Sequence, residues 1–358
     1  MKTIDTTTTK RNRKRIVKIL AVAILTLLST GVWADEFKKF YDGRYSVEKG
    51  AVMTIQNKFG KVNCQVWDES SVSIKVTVTV EASSQEKADK VFEKISIELK
   101  GNRSAVSGIS KVGSVSKAEY SIDYDIRMPR WINIEIDNNF GDVFLDEMDG
   151  TVKLNLEYGA LEAFNLNSNA NVLTIKFGKA RTGFINDAKI DIEYSDLKTA
   201  GAGNLEIVSR FSELTLEKTG TLKLDSQYDK VKVESLDGII SVSRFTDFSI
   251  NKLNGDFDFD IQYGELAVGH ISPGFTKGSI RNSFAGANLV FDPKTSFNLN
   301  AEMSFGDLNY PKANASIDKE TVGYTTNRYM GKIGTSASPM ASLTIKSKYA
   351  NTSISFQK

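Results

Sequence analysis

Apolar and polar residues alternate in short runs along most of this chain, and aromatic residues punctuate the runs at near-constant intervals. The aromatics are Phe140, Tyr158, Phe177, Tyr194, Phe211, Tyr228, Phe245, Tyr263, Phe284 and Phe305, at gaps of 18, 19, 17, 17, 17, 17, 18, 21 and 21 residues. Phe59 and Tyr349 read as outlying copies of the same series. Apolar residues stand two, four and six places before each aromatic, as Val152, Leu154 and Leu156 do before Tyr158. A small or polar pair follows, and apolar residues return three and five places after the aromatic, as at Leu214 and Leu216. Spacing by two is the period of a β-strand, whose side chains alternate between faces. The odd step across the aromatic reverses that phase, as a corner does when the chain turns around a core. Each copy therefore predicts strand, corner, strand and turn in about 17 residues.

A unit this short cannot bury its apolar face alone, whereas stacked copies share one core. The expected fold is all-β: a single-stranded β-helix or solenoid with rungs of 17–21 residues, its aromatics in an internal or corner stack. At about 4.8 Å per rung, the steps from Phe140 to Phe305 would span roughly 43 Å. The residues just before the aromatics run Glu157, Lys176, Glu193, Arg210, Gln227, Arg244 and Gln262. With one copy per coil, each cation meets an opposite or neutral neighbour. A coil of two copies would instead stack Glu on Glu and Arg on Arg, so the one-copy rung is favoured.

The flanks differ. Residues 71–82 alternate as a strand. Ser83 with Glu86 fits a capping box, and Ala88, Val91, Phe92 and Ile95 lie at helical spacing, which predicts a short amphipathic helix over 84–95. Residues 102–117 are rich in Gly and Ser and read as a loop, followed by a strand from Tyr120 to Met128. A solenoid needs a cap over its first exposed edge, and 35–130 is the expected N-terminal β-rich cap. The repeats then occupy 131–310. The segment 311–358 reads as a C-terminal loop and cap in which Lys312 to Pro339 breaks the register before a final rung at 342–356.

Residues 10–18 carry six positive charges, an apolar run Ile19–Leu28 follows, and Ala34 precedes Asp35. A basic region, a short apolar region and a small residue predict a secretory signal peptide over 1–34. The apolar run is too short for a spanning helix, so no transmembrane helix is expected in the mature chain. The expected location is the periplasm, the outer membrane surface or the extracellular space. The net charge of +2 offers no broad basic surface for nucleic acid. One cysteine, Cys64, allows no intramolecular disulfide.

These features together resemble the exported bacterial "putative adhesin" families of the cell envelope, over roughly residues 50–356. The resemblance rests on the leader, the strand–helix–strand opening from Ser71 to Leu99, the Phe/Tyr-Gly/Ser-Asp/Glu repeats, and the ending Leu343–Phe356. It implies an envelope location and a non-enzymatic β-solenoid, and it transfers no site residue.

Candidate chemistry is sparse. His270, the only histidine, sits in Gly-His-Ile-Ser-Pro-Gly and reads as a solvated turn residue with no nucleophile motif beside it. Cys64 occupies the slot of Leu145 and Leu216, so it reads as a small core residue. Two places after the aromatics stand Asp142, Asp196, Glu213, Asp247, Glu265 and Asp307. Neighbouring pairs such as Asp196 with Glu213 would suit a glycosidase or a weak calcium site, but Lys179 and Lys230 share the slot and acids after a corner are ordinary turn chemistry. An outer-membrane barrel is disfavoured because every copy keeps one chain direction around its aromatic. The expectation is therefore no catalytic, cofactor or metal residue. The function read from the sequence is a binding or scaffold protein presenting a rigid solenoid face to an envelope or extracellular protein or glycan. The alternative is a carbohydrate-active β-helix enzyme using surface carboxylates.

Overall fold

The structure, a computed structural model, describes residues 35–115 and 118–357; the expected leader lies outside the described residues. The alternating runs form rungs of parallel sheet. Strand Asp196–Arg210 pairs with Lys179–Glu193 on one side and Glu213–Gln227 on the other, with Asp196 opposite Lys179 and Glu213. Each pairing is offset by one repeat, so the fold is an all-β solenoid with one copy per coil. The flanking charges fall as the repeat demands: Arg210 lies between Glu193 and Gln227, and Gln227 lies against Arg244.

In one such rung Leu197, Thr199, Ala202, Leu205 and Ile207 all face the interior, at most 5% exposed. The odd step from Thr199 to Ala202 is a second corner, opposite the aromatic one. Each buried Leu or Ile contributes about 1.5–3 kcal/mol, repeated in every rung. The core is therefore a column rather than a ball.

The aromatic corner has a backbone signature. Among the described residues, the non-glycine residues with positive φ are Phe59, Phe140, Tyr158, Phe177, Tyr194, Phe211, Tyr228, Phe245, Tyr263, Phe284, Phe305 and Tyr349, with φ from 49° to 64°. A left-handed residue flips the side-chain phase in one step, which is the reversal seen in the sequence. It costs about 1–2 kcal/mol for any residue with a Cβ. The next residue crowds the preceding rung: a Cβ on Gly141 would meet the Gly60 carbonyl oxygen at 2.0 Å. At other corners that slot holds Ser195, Ser212, Asp229 or Thr246, each buried.

The first rung stands far from the rest in sequence. β1 (Asp35–Ser46) is followed by β2 (Val52–Lys58), the Phe59 corner and β3 (Val62–Trp67). The chain then leaves through β4 (Ser71–Ala82), α1 (Gln85–Phe92), β5 (Ile95–Gly101), β6 (Ala105–Val112) and β7 (Glu119–Pro129). It returns as β8 (Asn133–Asn139) and β9 (Val143–Leu145), which lie in parallel on β2 and β3. The excursion covers the open side of the first rung: β6 pairs with β2 and β7 with β3, and β4 and then β1 extend the β7 edge antiparallel.

Three local expectations are corrected here. The helix is capped by Ser84, which accepts from the Lys87 N–H, and it ends before Ile95 because that residue opens β5. The segment expected as a Gly/Ser loop contains strand β6. Pairing of Val106 with Met53 overrides its weak strand propensity, and Gly108 leaves room for the Tyr124 ring. The stretch from Lys312 to Pro339 includes an antiparallel hairpin, Ala315–Val322 with Thr326–Ile333.

The far end is not built in chain order. The last rung inserts between strand Lys277–Phe291 and the rung before the hairpin: Ala341–Lys348 pairs with Phe297–Ser304, and Thr352–Phe356 with Leu308–Asn309. The hairpin then pairs antiparallel with Phe297–Ser304 and covers that edge. Tyr349 is thus an interior rung, not the terminal one that its sequence position suggested.

Candidate functional site

The corner aromatics form one ladder. From Phe59 through Phe140 to Phe284, then Tyr349 and Phe305, successive ring centroids lie 4.6–5.2 Å apart with interplanar angles of at most 16°. The rings sit outside the core. From Phe140 onward each is 42–54% exposed. The corner stack was legible, whereas an internal stack is excluded. Within the ladder each ring has both faces covered by its neighbours, so away from the Phe305 end mainly edges meet solvent. A sugar stacks on an aromatic face, so this ladder offers few platforms for one. The stacking offsets the left-handed backbone, which makes the ladder chiefly a structural device.

The acidic column beside it runs Lys179, Asp196, Glu213, Lys230 in consecutive register, with Asp247 next to Glu265 further along. Asp196 and Glu213 are indeed neighbours. Asp196 borders a shallow depression of about 710 Å³, lined also by Asp142, Phe177, Tyr194 and Phe211, and Glu213 does not line it. The electrostatics oppose acid catalysis there: the Lys232 ammonium, 2.6 Å away, lowers the Glu213 carboxyl, and Lys230 adds to the effect. A glycosidase acid needs the opposite shift. Asp142 accepts from the Ala160 N–H, and Asp307 accepts from the Tyr329 hydroxyl, whose hydrogen bond holds its carboxyl low.

His270 belongs to the end of strand Phe257–Ile271, not to a turn, because the rung extends through it to Ile271. Its Nδ1 meets the Gln357 Oε1 at 2.7 Å, and its Nε2 lies 3.8 Å from Asp292. Cys64 is 1% exposed, and burial pushes its thiol up to about 12, so it is inert at neutral pH.

A larger concavity lies on the rung face before the aromatics. It is a groove of about 920 Å³ whose floor follows one outward column: Val172, Lys189, Glu206, Lys223, Ile240, Asp258 and Ser279. Seven rungs at about 4.8 Å make it roughly 29 Å long, parallel to the solenoid axis. Glu206 is clamped between Lys223 at 2.7 Å and Lys189 at 3.5 Å, and the Lys223 hydrogen bond holds its carboxyl low. Arg281 reaches Asp258 at 3.1 Å and Asp260 at 3.2 Å. Ile240, between these two groups of ion pairs, is 60% exposed, and Val172, at the end of the column beside Lys189, is 40% exposed. The floor thus sets two apolar stations in a mostly charged column. The sequence reading passed over this column because the alternation reports only that its residues face outward; the visible signal was Val172 and Ile240 at polar slots.

Asp229 was also missed. It replaces the small residue after Tyr228 and is 3% exposed. Its carboxylate accepts from the Ser212 N–H at 2.7 Å, the Ser226 hydroxyl at 2.6 Å and the Gln227 N–H at 3.0 Å. Desolvation nonetheless raises its carboxyl above the usual value.

No protein-family model matches the chain, and no curated protein matches it. Several solved structures are similar to the chain. A "putative cell adhesion protein" from Clostridium sporogenes is 12% identical, covers 89% of this chain and all of its own length, and has a TM-score of 0.17. A "putative adhesin" from Parabacteroides merdae is 10% identical over 71% of this chain and 89% of its own, with a TM-score of 0.28. Another from Parabacteroides distasonis is 12% identical over 88% and 97%, with a TM-score of 0.27.

Proposed function

We propose that this protein is a non-enzymatic binding module of the cell envelope that holds an extended protein or glycan chain along its solenoid. One observation carries the reading: a groove about 29 Å long runs across seven in-register rungs, with exposed Val172 and Ile240 beside charged stations. A straight groove on a continuous sheet suits a linear polymer, because its stations repeat at rung spacing and the rigid sheet loses little entropy on binding. Ion pairs on the floor supply polar partners at several points, while the apolar stations favour contacts that exclude water. The expected leader would carry the chain out of the cytoplasm to the envelope.

The test is a glycan array and a panel of envelope proteins probed with wild type and with Val172→Asp/Ile240→Asp. Both side chains are exposed, so the double variant should keep its melting temperature and lose the ligands that wild type retains. The variant Asp196→Asn/Glu213→Gln should bind as wild type does. Retained binding by the groove variant would reject the groove. Bound glycan cleaved by wild type but not by Asp196→Asn/Glu213→Gln would make the acidic column an active site instead.

A further inference from the structure

β1 is a long edge strand. Its twelve residues pair with β4 on one side, and among the described residues no strand pairs with the other side. It contains no proline and ends the β3–β7–β4–β1 sheet of the cap. Such an edge presents a row of backbone groups ready for another strand, and proteins normally blunt it. Here the side chains do something else. The inward residues Phe37, Tyr41, Gly43 and Tyr45 are half-buried, with Lys39 over the Phe92 ring at 4.6 Å. The outward residues are Glu36, Lys38, Phe40, Asp42 and Arg44, with Phe40 72% exposed. This order is charge-antisymmetric about Phe40.

We propose that β1 pairs antiparallel with β1 of a second copy of this chain, across a two-fold axis at Phe40. Residues opposite each other in an antiparallel pair point to the same face, so a symmetric register must bring outward residues against outward residues. With the axis on Phe40, Glu36 faces the partner's Arg44, Lys38 faces the partner's Asp42, and the two Phe40 rings meet. On the inner face Phe37 then stands opposite the partner's Gly43, over which that chain's own Tyr45 ring leans. The adjacent registers fail. An axis on Lys39 sets Glu36 against the partner's Asp42, and an axis on Tyr41 sets Lys38 against the partner's Arg44. Only one register is complementary, which is a degree of specification that a merely solvated edge does not need. The charges have partners within the chain, Lys38 with Glu36 at 2.8 Å and Arg44 with Glu69. Those pairs are exposed and exchange readily. The resulting contact is isologous and closed, so it ends at a dimer rather than a filament.

Sedimentation velocity of the exported protein at low ionic strength, up to about 200 μM, should show a monomer–dimer equilibrium that weakens with salt. Lys38→Glu places Glu against the partner's Asp42 twice per dimer and should raise the dissociation constant about tenfold or more. The swap Lys38→Glu/Asp42→Lys restores complementarity in the same register and should restore the dimer, which a folding defect would not allow. Phe40→Cys should form a symmetric intermolecular disulfide under mild oxidation, with Cys64 silent because it is buried. A monomer throughout the range, a dimer insensitive to Lys38→Glu, or a swap that fails to restore association would each overturn the proposal.

Discussion

Replacing Phe211 by alanine and by glycine should rank the two variants in the reverse of their usual order. The Phe211 ring stacks on Tyr194 and on Tyr228, each at 4.8 Å and within 2° of parallel. Two stacks at about 0.5–1.5 kcal/mol each, with about 1 kcal/mol for the half-buried ring, make a loss of about 2–4 kcal/mol for Phe211→Ala. That is below the roughly 3–5 kcal/mol of a fully buried ring, because 45% of this residue remains in water. Alanine keeps the left-handed strain at φ 52°, whereas glycine relieves about 1 kcal/mol of it. Phe211→Gly should therefore be the milder change, although glycine in a strand is ordinarily the worse one. The comparison extends along the ladder. Tyr349→Ala should cost as much as Phe211→Ala, since Phe284 and Phe305 cover both faces at 4.8 and 4.6 Å. Phe305→Ala, which loses one stacked partner, should cost roughly half as much. Urea unfolding followed by circular dichroism, with unchanged denaturant slopes, gives the order. A loss below about 0.5 kcal/mol for Phe211→Ala would mean that the ladder is ornament. A glycine variant weaker than the alanine one would refute the strain argument.

The Asp229 carboxyl is raised above 3.8 by desolvation, so the folded chain holds its proton more tightly than the unfolded chain does. Its contribution to stability is then fully present below 3.8 and is lost as pH rises through the folded value above that. Asp229→Asn should remove this dependence, read as the change in urea midpoint with pH. An unchanged profile would mean that Asp229 is solvated in the folded chain. The exported protein should begin at Asp35, and N-terminal sequencing of material from its native host that returned Met1 would contradict the expected leader.

Much of this architecture is written locally. Apolar positions two, four and six before each aromatic specify a strand, and the odd step across Phe211 specifies a corner, because side-chain phase is a property of consecutive residues. The alternation of Glu193, Arg210 and Gln227 even sets one copy per coil, since stacked like charges would repel. Cys64 was legible as core from its slot alone. Other features depended on which edges were left unpaired. Phe59 lies under Phe140 although the residues of an entire cap separate them, and Tyr349 slips between Phe284 and Phe305. β6 became a strand because β2 offered it an open edge, against the preference of its own glycine and serines. The groove needed seven outward residues from seven rungs to come into register, and no single rung shows more than one of them. Alternation tells each residue which way to face. The partner it meets there is a choice among distant edges, and that choice is settled only when the whole column of rungs, the inserted last rung included, closes on itself.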